Sequence, residues 1–91
     1  MNFNNPKITV IMSVFNGGKW LHKSISSILN QTYKDFEFII INDGSTDESL
    51  EIIQSYANSD SRIIIHNKSN TGLADSLNKG IEISRGKWIA R

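Results

Sequence analysis

The chain has 91 residues, 38% hydrophobic and 21% charged, with ten Lys and Arg against nine Asp and Glu for a formal charge of +1, and no cysteine. That size holds one domain and that composition is globular, while basic residues scattered from Lys7 to Arg91 exclude the charge cluster a nucleic-acid partner requires. The lack of thiols excludes disulfide frameworks, zinc knuckles and thiol nucleophiles; with no signal-peptide order in MNFNNPKITV and no apolar run near ~20 residues, the expected location is cytoplasmic.

The single proline, Pro6, stands just before Ile8 to Val14, ITVIMSV, which is β-branched and largely apolar on both faces, as a central parallel strand is. Leu21, Ile25, Ile28 and Leu29 follow at helical spacing. Phe36 to Ile41 reads as a second buried strand and runs into the polar turn NDGSTD. Leu50, Ile53, Tyr56 and Ala57 predict a second helix, for which Ser45 and Glu48 have the spacing of a capping box and Asp47 supplies a negative charge at the positive end. Arg62 to His66 is a third strand, and Leu73, Leu77 and Ile81 place an apolar stripe on a third helix. Lys87 to Ala90 begins a fourth strand after Arg85-Gly86.

This β-α-β-α-β-α-β order predicts a Rossmann-like parallel sheet with right-handed crossovers and helices on both faces, a three-layer α/β/α arrangement. Such sheets bind ligands beyond the carboxyl ends of their strands. Two strand ends carry polar residues there. In SVFNGGKW, Ser13 is a donor for a phosphate or ribose, Phe15 a ring to stack on a base, and Asn16 a residue that can hold its loop through a side-chain bond to backbone. At the second strand end stands Asp43, either a ligand contact or a local turn former. Gly17-Gly18 lacks the glycine spacing of a dinucleotide or Walker loop, and His22 and His66 have no nucleophile elbow with them. Asp47-Glu48 are explained by the helix start, and no His, Asp or Glu cluster has ligand spacing for a metal. Spacing alone supports a nucleotide-like ligand and names no chemistry.

The stretch ITVIMSVFNGGKWLHKSISSILNQTYKDFEFIIINDGSTDESLEII, followed by NTGLADSLNKGIEISRGKWIA, resembles the family-2 glycosyltransferases from about Pro6 to Arg91. The motifs that carry the resemblance are the aromatic-Asn end of the first strand, the SILNQTY helix, the Asp-containing DGSTD turn and the N-x-G-x-x-x-x-x-N-x-G-I helix. It implies the N-terminal, nucleotide-sugar-binding half of an A-type glycosyltransferase fold. Ser13 and Phe15 then resemble the first-strand contacts to the nucleotide, and Asp43 the acid that hydrogen-bonds the base, typically uracil, through an imide N–H. Gly72 and Asn78 resemble positions lining the diphosphate side. Asn42 stands where an acid is usual, and Leu77 where many members carry Arg.

The resemblance further implies transfer from a UDP-sugar with inversion to a saccharide or lipid-linked acceptor, with peripheral membrane association of a longer protein. Family members continue past this point into an Asp-x-Asp motif that binds Mg²⁺ or Mn²⁺, so the metal ligands and the catalytic carboxylate are expected beyond Arg91, and no catalytic residue is named in residues 1–91. Two alternatives stay open: a non-catalytic nucleotide-binding or assembly module, and a receiver-like signalling domain phosphorylated on Asp43.

Overall fold

The computed structural model describes residues 8–31, 34–86 and 88–90; Pro6 and Lys87, singled out above, lie outside them. Four parallel strands, β1 (Ile8–Val14), β2 (Phe36–Asp43), β3 (Ile63–Lys68) and β4 (Trp88–Ala90), form one sheet in the order β3-β2-β1-β4. Helices α1 (Gly18–Leu29), α2 (Ser49–Ser59) and α3 (Leu73–Ile83) connect them in chain order. The α/β order is the one expected. β2 continues past Ile41 to Asp43 and β3 lies two residues later at its end, because ladder pairing of Asn42 with Asn67 and Asp43 with Lys68 carries both strands into the polar region.

The register sets which side chains share a face. β1 and β2 pair from Ile8 with Phe36 to Val14 with Asn42. Val10, Val14, Phe36, Phe38 and Ile40 point to one face of the sheet, where Leu21 and Ile25 of α1 and Ile53 of α2 close the core. Each such side chain contributes about 1.5–3 kcal/mol by leaving water. β2 is buried along its whole length, as the central position in the sheet requires.

The third helix covers the opposite face, and here the expected stripe is not the buried one. Leu73 and Ile81 are 63% and 41% exposed, and the residues of α3 that are buried are Ser76 and Gly80. The reason is close approach: a Cβ on Gly80 would stand 2.5 Å from Ile11 Cγ2, so only small residues fit the contact line and the larger apolar ones are displaced to its flanks. Ser76 is fully buried by this packing, and its hydroxyl finds no hydrogen-bond partner among the described residues.

From β1 the chain moves through α1 and α2 toward β3, then returns through α3 to the other side of β1, where β4 pairs with Ile8 to Val10. The strand order therefore reverses between β1 and β4, and the carboxyl end of β1 stands at that switch point. Among the described residues β1 has no partner on that side beyond Val10.

Candidate functional site

The loops leaving β1 and β2 are locked to each other. Asn16 sits in the left-handed region at φ 51°, and its Oδ1 accepts from the N–H of Thr46 at 2.7 Å and of Asp47 at 3.3 Å. Its own N–H donates to Ser45 Oγ at 2.9 Å. Next to it, Gly17 N–H donates to Ser49 Oγ at 3.0 Å and Gly18 N–H to Asp47 Oδ2 at 3.2 Å, while Asp47 Oδ1 accepts from Ser49 N–H at 2.9 Å. One carboxylate thus satisfies orphan donors at the starts of both α1 and α2. The Ser49 hydroxyl and N–H, with the Gly18 N–H, hold the Asp47 carboxyl below its ordinary range.

This arrangement corrects the expected capping box. α2 begins at Ser49, and no side chain hydrogen-bonds at its N-cap, Glu48. Ser45 is drawn instead to Asn16 in the other loop, and the Glu48 carboxyl lies beside Gly18, where an added Cβ would come within 2.7–3.0 Å of it. A cross-loop partner at a fixed distance displaces the local one.

Asp43 plays the corresponding part for α3. Its Oδ1 accepts from the Lys68 ammonium and from Thr71 N–H at 3.0 Å, and its Oδ2 from Gly72 N–H at 3.1 Å. The side chain is 4% exposed. Lys68 first, then the Thr71 and Gly72 N–H groups, hold its carboxyl below the ordinary range against the opposing effect of burial. Two glycines shape this loop: Gly44, at φ 74°, lies so close that a Cβ would meet Asn70 N at 2.6 Å, and Gly72, at φ 103°, has open space within 4 Å of its missing side chain. Lys68 also donates to Thr71 Oγ1 and, at 3.2 Å, to the Ser69 carbonyl, and Thr71 Oγ1 donates to Asp75 Oδ2 at 2.5 Å.

A third network was not read from the sequence. Glu37 lies within β2 with its side chain 3% exposed, and its Oε2 accepts from Thr9 Oγ1 at 2.6 Å and from Arg85 N–H at 2.5 Å, its Oε1 from Arg85 Nε at 3.0 Å. Gly86 N–H completes it by donating to Thr9 Oγ1 at 2.8 Å. Burial raises the Glu37 carboxyl, and the bonds from Thr9 and Arg85 outweigh it, so the net displacement is downward. The readable signal was the acid itself: in FEFIIIND a charge in the middle of a buried strand demands partners. The network ties the turn before β4 to β1 and β2.

The six candidate residues are not brought to one place. Ser13, half-buried, and Phe15, 53% exposed, border a recess at the carboxyl end of β1 with Met12, Trp20 and Ser24. Asn16 adjoins it but turns its side chain to the neighbouring loop. Asp43 and Gly72 form the clasp at the start of α3, on the same sheet face as Ser13 and one strand away. Asn78 is exposed and lines a groove beside β3 with His66, Lys79 and the same Lys68 that binds Asp43. Among the described residues no three His, Asp or Glu side chains are placed to hold a metal ion, and the carboxylates of Asp43 and Asp47 are committed to helix starts. No described helix is long and apolar enough to cross a membrane.

A parallel sheet with helices on both faces and polar loops at a strand-order switch is the architecture of an A-type glycosyltransferase. The solved structure of a mannosyltransferase from Pyrobaculum calidifontis, in complex with GDP-Man and Mn²⁺, superposes on 88% of this chain with a TM-score of 0.77 at 20% identity, the chain covering 25% of it. The sequence model of Glycosyl transferase family 2 matches residues 9–91. The chain belongs to glycosyltransferase family 2. It is 46% identical over 89 residues to an uncharacterised glycosyltransferase of Haemophilus influenzae, covering 97% of this chain and 28% of that protein. It is 41% identical over 85 residues to glycosyltransferase GlyA of Streptococcus pneumoniae, covering 93% of this chain and 12% of that protein. The chain therefore spans less than a third of the length of these curated relatives.

Proposed function

We propose that residues 1–91 are the nucleotide-sugar-binding portion of an inverting glycosyltransferase that takes its sugar from a nucleoside diphosphate donor, UDP-sugar in the first instance, and passes it to a saccharide or lipid-linked acceptor. The observation that carries this reading is the placement of Ser13 and Phe15 at the carboxyl end of β1, at the switch point of the sheet, with Asp43 at the end of the adjacent strand. An exposed ring at a strand end offers a face for a base, and a hydroxyl beside it a donor for ribose or phosphate.

The donor diphosphate calls for Mg²⁺ or Mn²⁺, which offsets charge on the leaving group when bound. The described residues do not fit that ion, so its ligands are assigned outside them and no step is derived through it. The role of this chain's own residues is to bind and orient the nucleotide. Gly72 and Asn78 enter on different grounds: Gly72 donates its N–H to Asp43, whereas Asn78 lies on the groove beside β3 that Lys68 and Asp75 also line. The protein is proposed to work in the cytoplasm, at the membrane face where its acceptor is lipid-linked.

Titration calorimetry of UDP and GDP into the wild-type chain and its Phe15→Ala variant tests the reading. Binding that Phe15→Ala removes, in a protein whose unfolding midpoint is unchanged, supports it. Equal affinity in the two proteins sinks the assignment of Phe15, and absence of binding by the folded wild type sinks the site.

A further inference from the structure

The Phe15 ring is 53% exposed, so its position depends on the backbone that carries it more than on packing. On one side that backbone is Val14, buried at the end of β1. On the other, the three N–H groups that follow the ring all donate to the loop after β2: Asn16 to Ser45 Oγ at 2.9 Å, Gly17 to Ser49 Oγ at 3.0 Å and Gly18 to Asp47 Oδ2 at 3.2 Å. α1 cannot satisfy these donors itself. Its N-cap is Gly17, which has no side chain to accept from them, and its first turn contains no acid. The acceptor and the negative charge that the start of α1 needs come from an acid 29 residues later.

We propose that Asp47 is a positioning residue for the nucleotide: by holding the loop that leaves β1, it fixes the Phe15 ring at the rim of the recess before a base arrives. This rests on the proposed nucleotide site. Asp47 is tied to that loop in both directions, through its Oδ2 to Gly18 and through its own N–H, which donates to Asn16 Oδ1 at 3.3 Å. Its Oδ1 accepts from Ser49 N–H at 2.9 Å, which anchors it to α2, a helix whose Ile53 is fully buried in the core. Asp47 lies outside the residues that border the recess, so its effect on a ligand passes through the ring's loop. A ring held in place loses less freedom on binding than one whose loop must first be ordered.

The test is a double-mutant cycle: calorimetric titration of UDP into the wild-type chain, Asp47→Asn, Phe15→Leu and the double variant, each with its unfolding midpoint. Asp47→Asn must turn its NH₂ toward the Gly18 or the Ser49 N–H, donor against donor. It should weaken UDP about fivefold or more where residue 15 is Phe, and less than about twofold where it is Leu, because no ring is left to position. The lost negative charge acts alike in both backgrounds and cancels in the comparison. Should Asp47→Asn not fold, Asp47→Ser, which keeps a short acceptor for Ser49 N–H and withdraws the one at Gly18, carries the same expectation. Where Phe15→Leu binds too weakly to titrate, the fluorine resonance of 4-fluorophenylalanine at position 15 decides: it should shift or broaden in the Asp47 variant without nucleotide, and an unchanged line overturns the inference. Equal losses in the two backgrounds, or no loss in either, overturn the role of Asp47 and leave the nucleotide site standing. A folded wild type that binds neither UDP nor GDP overturns the site, and this inference with it.

Discussion

Replacing Glu37 should show how far the sheet depends on a buried charge. Its carboxylate accepts from Thr9 Oγ1, Arg85 N–H and Arg85 Nε within 3.0 Å, and the partner guanidinium is itself 55% exposed. Glu37→Ala removes all of these acceptors at once, strands the Arg85 N–H and leaves a void under the turn before β4, a loss of about 3–5 kcal/mol. Glu37→Gln can keep its amide oxygen at the Oε2 position, retaining Thr9 and the Arg85 N–H, and loses only the bond to Arg85 Nε, whose side chain turns to water; the cost is about 2 kcal/mol. Against a total stability of about 5–13 kcal/mol for a chain this size, both are large. Urea unfolding followed by far-UV circular dichroism reads the difference: with a slope of about 1–1.5 kcal/mol per molar, Glu37→Ala should lower the midpoint by about 2–5 M and Glu37→Gln by about 1.3–2 M. Arg85→Ala keeps its backbone donor but leaves the buried Glu37 carboxylate without its counter-charge, so it should shift the midpoint at least as far as Glu37→Gln. Equal shifts for Ala and Gln, or an Ala shift under about 0.5 M, would refute the pinning role.

Stability should also fall in acid with a definite sign. The Glu37 and Asp60 carboxyls lie below their ordinary values of 4.5 and 3.8, so the unfolded chain binds protons more readily; the stabilisation is complete above that range and is lost as the pH falls through the lower folded-state values. Glu37→Gln should flatten this acid limb in a pH series of urea midpoints. Gly80→Ala should cost about 1–3 kcal/mol in the same assay, because its Cβ would stand 2.5 Å from Cγ2 of the buried, β-branched Ile11. Asn16→Ala should destabilise more than Asn16→Gly: both lose the Oδ1 acceptor that joins the two loops, and Ala alone meets strain at φ 51°. Phe15→Ala, at an exposed position, should leave the stability within about 0.5 kcal/mol of wild type while removing nucleotide binding.

Asp43→Asn is a less decisive probe of nucleotide binding than its position suggests. An amide in that place must turn its NH₂ toward either the Lys68 ammonium or the Gly72 N–H, so the start of α3 loosens whether or not a base is present. Its effect on affinity is interpretable only beside its effect on the unfolding midpoint.

What could be read in the sequence was what neighbouring residues settle among themselves. The β-branched runs gave the strands, the spacing of Leu21, Ile25, Ile28 and Leu29 gave the buried side of α1, and the alternation of elements gave a parallel sheet, because backbone preference and burial periodicity act within a few residues. Ser13, Phe15 and Asp43 were legible as polar or exposed positions at strand ends for the same reason. What the fold alone decided are the bonds between residues far apart in the chain. The partners of Asp47 and Asp43 at the helix starts lie up to 29 residues away, and Glu37 and Arg85 are separated by 48. The buried face of α3 was decided in the same way: Ile11, which belongs to a strand more than sixty residues earlier, stands so close to α3 that Gly80 has no room for a side chain, so packing distance overrode the apolar stripe that periodicity alone would have turned inward.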